Sequence, residues 1–130
     1  MTRLFLILTG LLWLGYGIYC LIMPQALAAS VGVIATSATG VVELRAMYGG
    51  RQSAIGALAL LAGVAAAWRK EGLVALLFAY AGVALARLMS AAIMGEFSSY
   101  VVSALAFEAT SALITLALLR RDLRSIPAAV

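Results

Sequence analysis

Histidine is absent from this chain of 130 residues, and cysteine occurs once, as Cys20. Without histidine, the sequence lacks the usual ligand of zinc and haem and the usual acid–base group near neutral pH. A single cysteine excludes an intrachain disulfide, and its place inside an apolar run predicts a packing role. We therefore expect no metal site and no cofactor.

Charged residues are also scarce. Only 11% of the residues are charged, 65% are hydrophobic, and the mean hydropathy is +1.12. A soluble domain has about 25% charged and about 45–50% apolar residues. Since a soluble fold of this size could not bury so much apolar surface, the composition predicts an integral membrane protein.

Four apolar runs reach the length of about 20 residues that a membrane-spanning helix needs. They are Leu4–Met23, Val41–Trp68, Gly72–Met94 and Tyr100–Leu119. Because little chain remains between them, we predict a single integral membrane domain, residues 1–130, folded as an all-α four-helix transmembrane bundle. The longest connection, Pro24–Gly40, carries no charge. Two interpretations of it stay open, a connector along the membrane surface or a lid over a cavity.

Small residues predict where helices approach each other closely, because short side chains let membrane helices pack backbone to backbone. Gly10 and Gly17 share a face of the first run. Gly49, Ser53 and Ala57 form a row of small residues in the second run. We expect both faces to be helix contacts and the second helix to be central in the bundle.

The basic residues predict the orientation of the helices. Six of them lie at ends of apolar runs that share one side of a four-span protein, namely Arg3, Arg69, Lys70, Arg120, Arg121 and Arg124. The connections on the opposite side contain no Lys or Arg. Basic residues favour the cytoplasmic side, so we expect a multi-pass protein of the bacterial inner membrane with both termini cytoplasmic. This placement also argues against nucleic acid as a partner, despite a pI of 9.7.

Five charged residues lie inside the apolar runs. Glu43, Arg45 and Arg51 are near the start of the second run, Arg87 is late in the third and Glu108 is in the fourth. A charge at bilayer depth costs at least ~2.5–3.5 kcal/mol on insertion scales, so it needs a partner, water or a function. At a rise of about 1.5 Å per residue, the last three have similar depths in the middle or outer half of the membrane. The first two lie nearer the outer interface.

The predicted ligand-binding residues are these five and a neighbouring tyrosine: Glu43, Arg45, Tyr48, Arg51, Arg87 and Glu108. Three interpretations stay open. The charges form ion pairs that hold the bundle together, with Glu108 bound to Arg87 or Arg51; they line a polar cavity for a ligand; or they contact another subunit. Arg45 is the weakest member because its long side chain can extend outward to the headgroups.

The segment Glu43–Gly50, ELRAMYGG, resembles the signature of a family of small four-span bacterial inner-membrane proteins, domain of unknown function 4345. Arg87 and Glu108 are similar to charged positions of that family, and the resemblance covers nearly the whole chain. It implies a four-helix bundle in the inner membrane and implies no activity.

Three functions are compatible with the sequence. The first is binding of a small amphipathic or anionic ligand, such as a lipid, a fatty acid or a quinone-like molecule, by the Glu/Arg cluster. The second is an accessory subunit of a larger membrane complex, whose partner is another membrane protein or a further copy of the chain. The third is a small-molecule transporter, which the excess of arginine suits poorly. Membrane lipids are expected partners in each case. Catalysis is not favoured, because no nucleophile or cofactor motif accompanies the charges, and we name no catalytic residue.

Overall fold

The computed structural model describes residues 1–124, apart from the side chains at 28–30 and 123, and this part of the chain is helical with no β-strand. The predicted all-α class is therefore confirmed. Three helices are long and apolar enough to cross a membrane, namely Thr2–Ile22, Ala66–Met94 and Ser99–Asp122. Residues 125–130, which include the predicted cytoplasmic C-terminus, lie outside the described residues. The single membrane domain and its orientation stay predictions.

The chain divides into two compact units, Met1–Trp68 and Arg69–Val130. The N-terminal unit contains α1 (Thr2–Ile22), α2 (Ala26–Val31), α3 (Ala38–Leu44), a π-helical segment (Arg45–Gly50), α4 (Arg51–Val64) and a 3-10 helix (Ala66–Trp68). The C-terminal unit contains α5 (Arg69–Met94) and α6 (Ser99–Arg124).

The second apolar run forms one continuous helical stretch made of α3, the π segment and α4. It begins at Ala38, where the Oγ of Ser37 accepts a hydrogen bond from the Gly40 N–H at 3.1 Å and caps the helix. It leaves helical conformation at Ala65, whose φ of −103° and ψ of 109° are extended. The stretch therefore starts and ends a few residues earlier than the predicted span Val41–Trp68.

The π segment coincides with most of the ELRAMYGG signature. Hydrogen bonds in a π-helix run from residue i to i+5, so each π turn holds one residue more than an α turn. The burial pattern shows this insertion, since Leu44 and Gly49 are both buried although they are five residues apart.

Glycines bring α1 against the π segment and α4. They recur every seven residues on both helices and are buried, at Gly10 and Gly17 on one side and Gly49, Gly56 and Gly63 on the other. A Cβ atom at Gly10 would lie 2.6 Å from Leu60 Cγ, and one at Gly56 would collide with the backbone of Leu14. A seven-residue period keeps the same face of each helix in contact when two helices form a left-handed supercoil. Close approach of the backbones increases dispersion contacts between helices in a membrane.

The predicted glycine face of α1 is thus confirmed, but the predicted row on the second helix is wrong at one position. Gly49 and Ser53 adjoin α1, whereas Ala57 is exposed and Gly56 takes its place. The physical reason is that repeated steps of four residues rotate away from a fixed face at about 3.6 residues per turn. Alternating steps of four and three residues stay on that face.

Helices α5 and α6 form a hairpin that makes up the described part of the C-terminal unit. Helix α5 ends at Gly95, whose φ of +67° lies in the left-handed region that glycine favours. The Glu96 N–H donates to the Ala91 carbonyl at 3.0 Å and closes the helix end. Because the connection to Ser99 is short, α6 returns antiparallel along α5.

The contact between α5 and α6 is apolar on one helix and mostly polar on the other. Helix α5 buries Leu73, Leu76, Tyr80, Ala84 and Ala91 at steps of three, four and seven residues. Helix α6 buries Glu108, Ser111, Thr115 and Leu119. Thr115 satisfies its hydroxyl within the helix, because Oγ1 donates to the Ser111 carbonyl at 2.7 Å. The buried glutamate needs a partner from the other helix.

Candidate functional site

Arg87 supplies that partner to Glu108. Its Nη2 donates to Oε1 at 2.6 Å, and its Nε donates to Oε2 at 2.9 Å. The two parallel bonds form the bidentate arrangement in which guanidinium and carboxylate match best. The side chain of Glu108 is 8% exposed and that of Arg87 is 26% exposed. The carboxylate therefore lies within the hairpin, while the guanidinium reaches its surface.

Helical spacing explains why these two residues meet. Arg87 lies three residues after Ala84 and four before Ala91, so it belongs to the stripe of α5 that faces α6. Phe107, next to Glu108 on α6, packs edge to face against Tyr80 of α5, with ring centroids 6.1 Å apart. The predicted ion pair of Glu108 with Arg87 is therefore present, and it joins the two helices of the hairpin.

Tyr100 extends this polar site toward the turn. The guanidinium carbon of Arg87 lies 5.9 Å from the centroid of the Tyr100 ring, within the range of a cation–π contact. Tyr100 was not predicted as a site residue. The sequence spacing indicates that Tyr100 lies on the same face of α6 as Glu108, because Tyr100, Ala104 and Glu108 follow one another at steps of four residues.

An open groove of about 660 Å³ runs along the hairpin beside the ion pair. Its apolar wall includes Gly82, Val83 and Ala86, and its polar atoms come from Arg87, Ser90 and Glu96. Gly82 leaves space, because a Cβ atom there would meet nothing within 4 Å. The volume lies within the ~300–1,000 Å³ of small-molecule sites. The groove can therefore hold an apolar body with a polar head near Arg87.

Two of the other predicted site residues have structural contacts in the N-terminal unit. The Nε of Arg45 donates to the Leu21 carbonyl at 3.1 Å. Leu21 is in the last turn of α1, where carbonyls lack partners within the helix and a positive charge is favourable. Tyr48 packs against the apolar cluster formed by Cys20, Leu27 and Leu44. The buried Cys20 has the packing environment expected for it.

Glu43 and Arg51 are exposed on the N-terminal unit. Neither forms an ion pair or a side-chain hydrogen bond with another described residue of that unit. The predicted set therefore divides by surroundings. Arg87 and Glu108 form one pair, Arg45 and Tyr48 contact the N-terminal unit, and Glu43 and Arg51 face outward. Among the described residues, no group of three or more His, Cys, Asp or Glu side chains could hold a metal ion.

The exposed faces of the long helices are apolar, as is typical of helices that can cross a membrane. Leu8, Phe78 and Ile93 are examples of large apolar side chains exposed on the long helices, where water would be an unfavourable neighbour and lipid a favourable one. The chain is an all-helical protein with membrane-compatible helices. It belongs to the family described as Domain of unknown function (DUF4345), which matches residues 1–119. No curated protein and no solved structure gives a significant match.

Proposed function

We propose that this chain is a multi-pass protein of the bacterial inner membrane that binds a small amphipathic molecule in the groove of the α5–α6 hairpin. The observation that carries the proposal is the position of the groove. Its wall is apolar at Gly82, Val83 and Ala86 and continues to Arg87, whose guanidinium is bound by Glu108. A lipid, a fatty acid or a quinone-like molecule has the matching order of an apolar body and a polar head.

The charges around Arg87 favour some heads over others. Glu108 neutralises the guanidinium through hydrogen bonds from two of its nitrogen atoms, and the carboxylate among the groove's lining residues belongs to Glu96. The groove thus carries no formal excess of positive charge. It offers hydrogen-bond donors from Arg87 and Ser90 in a mostly apolar setting, where such bonds fix the orientation of a ligand. A neutral carbonyl or hydroxyl head is therefore favoured over a second anion.

Filling the groove tests the proposal. Gly82→Leu adds a side chain to the groove wall at a position where a Cβ atom meets nothing within 4 Å. Native mass spectrometry of the gently extracted protein should show an amphipathic molecule on the wild type and its loss from Gly82→Leu. Gly15→Leu is the matched control, because Gly15 also has open space around it and lies on α1.

The same measurement separates the proposal from its rivals. Equal amounts of bound amphiphile on wild type and Gly82→Leu would contradict the groove as the site. A stoichiometric second protein, with no small molecule on the wild type, would favour the accessory subunit. The ion pair of the hairpin would then serve only to hold α5 and α6 together.

A further inference from the structure

The π segment changes which side chains share a face of the N-terminal unit. Glu43 and Arg51 are eight residues apart, and on a regular α-helix they would point about 80° away from each other. The extra residue of the π turn restores the alignment, because beyond it Arg51 has the direction of a residue seven positions after Glu43. Glu43 and Arg51 are both exposed, as are Val42 and three consecutive residues of the π segment, Arg45, Ala46 and Met47.

This face carries a negative charge, at Glu43, followed by a positive charge, at Arg51. The side chains of Glu43 and Arg51 are about two helical turns apart along one helical stretch, with Met47 between them. In the orientation that the basic residues predict, with both termini cytoplasmic, Glu43 is nearer the water and Arg51 lies deeper, near the outer edge of the hydrocarbon. Arginine at that depth extends its guanidinium toward the headgroups, so the two charges approach the same layer from opposite sides.

We infer that this Glu43–Arg51 face binds the head of a zwitterionic phospholipid of the outer leaflet whose ammonium lies outside its phosphate, as in phosphatidylethanolamine. Arg51 binds the phosphate, since its planar donors match phosphate oxygens. Glu43 accepts hydrogen bonds from the primary ammonium, which has three N–H donors. A choline head has no such donor, and an anionic glycerol head leaves Glu43 without a cation.

The order of charges also decides between this lipid and a second copy of the chain. Two copies with the same orientation are related by an axis along the membrane normal, so a dimer in which this face lies on a two-fold axis brings each of its residues to its own equivalent at the same height. That arrangement would bring Glu43 against Glu43 and Arg51 against Arg51, and like charges oppose association. A lipid head with a cation above an anion is complementary to the face.

The test is lipid retention by the purified full-length chain from an equimolar mixture of phosphatidylethanolamine, phosphatidylcholine and phosphatidylglycerol with identical acyl chains, measured by native mass spectrometry. Phosphatidylethanolamine should be retained roughly two- to fivefold over phosphatidylglycerol, as expected from one exposed ion pair. Glu43→Gln should abolish this preference. Arg51→Gln should lower the retention of all three lipids. Glu71→Gln, which removes an exposed carboxylate at the start of α5, should change neither result.

The inference uses the proposed orientation and does not use the groove of the C-terminal unit. Gly82→Leu should therefore leave the headgroup preference intact, and Glu43→Gln should leave the groove ligand bound. Equal retention of the three lipids by the wild type, or an unchanged preference in Glu43→Gln, overturns the inference. So does a protein that occupies this face in stoichiometric amount and is released by Arg51→Gln.

Discussion

The guanidinium of Arg87 binds the carboxylate of Glu108 through two nitrogen atoms, with the shorter contact at 2.6 Å. The pair joins α5 to α6 at a position where the buried face of α6 is polar. Each charge lowers the free-energy cost of placing the other in an apolar environment, because an unpaired charge there would carry its full desolvation cost. We therefore expect the ion pair to stabilise the hairpin, and its arginine also lines the groove.

Glu108→Ala should destabilise the protein, because it leaves Arg87 without its carboxylate. Breaking a buried pair costs about 3–5 kcal/mol, and the partial exposure of Arg87 places the expected loss at the lower end. Thermal unfolding in detergent measures it. Glu71→Ala, at an exposed position, is the control and should unfold like the wild type. Glu108→Ala with wild-type stability would contradict a structural role for the pair.

Gly56→Ala should also destabilise the protein, because the new Cβ atom would collide with the Leu14 backbone where α4 meets α1. The helices would have to move apart, and overpacking of this kind typically costs about 1–3 kcal/mol. Thermal unfolding in detergent again measures the effect.

Gly15→Ala is the matched control for that substitution. Gly15 lies on α1 with no atom within 4 Å of an added Cβ. Alanine should therefore be neutral or stabilise the helix by up to about 0.5–1 kcal/mol. Equal effects of the two substitutions would show that the glycines matter for helix propensity and not for the contact.

The sequence predicted those parts of the structure that follow from a regular period. The helices follow from long apolar runs, and the Arg87–Glu108 pair follows from two charges at similar depth on neighbouring helices. The glycine face of α1 follows from a seven-residue spacing. These features depend on the order and spacing of residue types along regular helices, which the sequence shows directly.

The rest depended on local irregularity. The π segment has no signature in hydrophobic periodicity, yet it determines that Glu43 and Arg51 point the same way. The contact of Arg45 with the Leu21 carbonyl joins residues that are 24 positions apart in sequence. The groove depends on the absence of a side chain at Gly82 and on the turn that brings Glu96 to its edge. Such features arise from packing, which a sequence pattern does not encode.

Arg45→Gln should weaken the N-terminal unit without affecting the groove ligand. The substitution removes the charged donor to the Leu21 carbonyl at the C-terminal end of α1. Charges at helix ends contribute about 0.3–1 kcal/mol, so the unfolding temperature should fall slightly. Arg45→Lys, which keeps the charge, should lose less. Loss of the co-purifying amphiphile in Arg45→Gln would contradict this structural assignment and return Arg45 to the ligand site.

Reporter fusions should place Ser37 and Ser98 in the periplasm and the end of the chain, after Val130, in the cytoplasm. Ser37 lies between α2 and α3, and Ser98 lies between α5 and α6, so both fusions avoid helix interiors. The expectation rests on the six basic residues at one set of helix ends and on none in the opposite connections, since such asymmetry sets orientation. A reporter active only in the periplasm and a second active only in the cytoplasm should give opposite results at each position. A periplasmic C-terminus would contradict the four-span arrangement, and it would also remove the basis for placing the Glu43–Arg51 face in the outer leaflet.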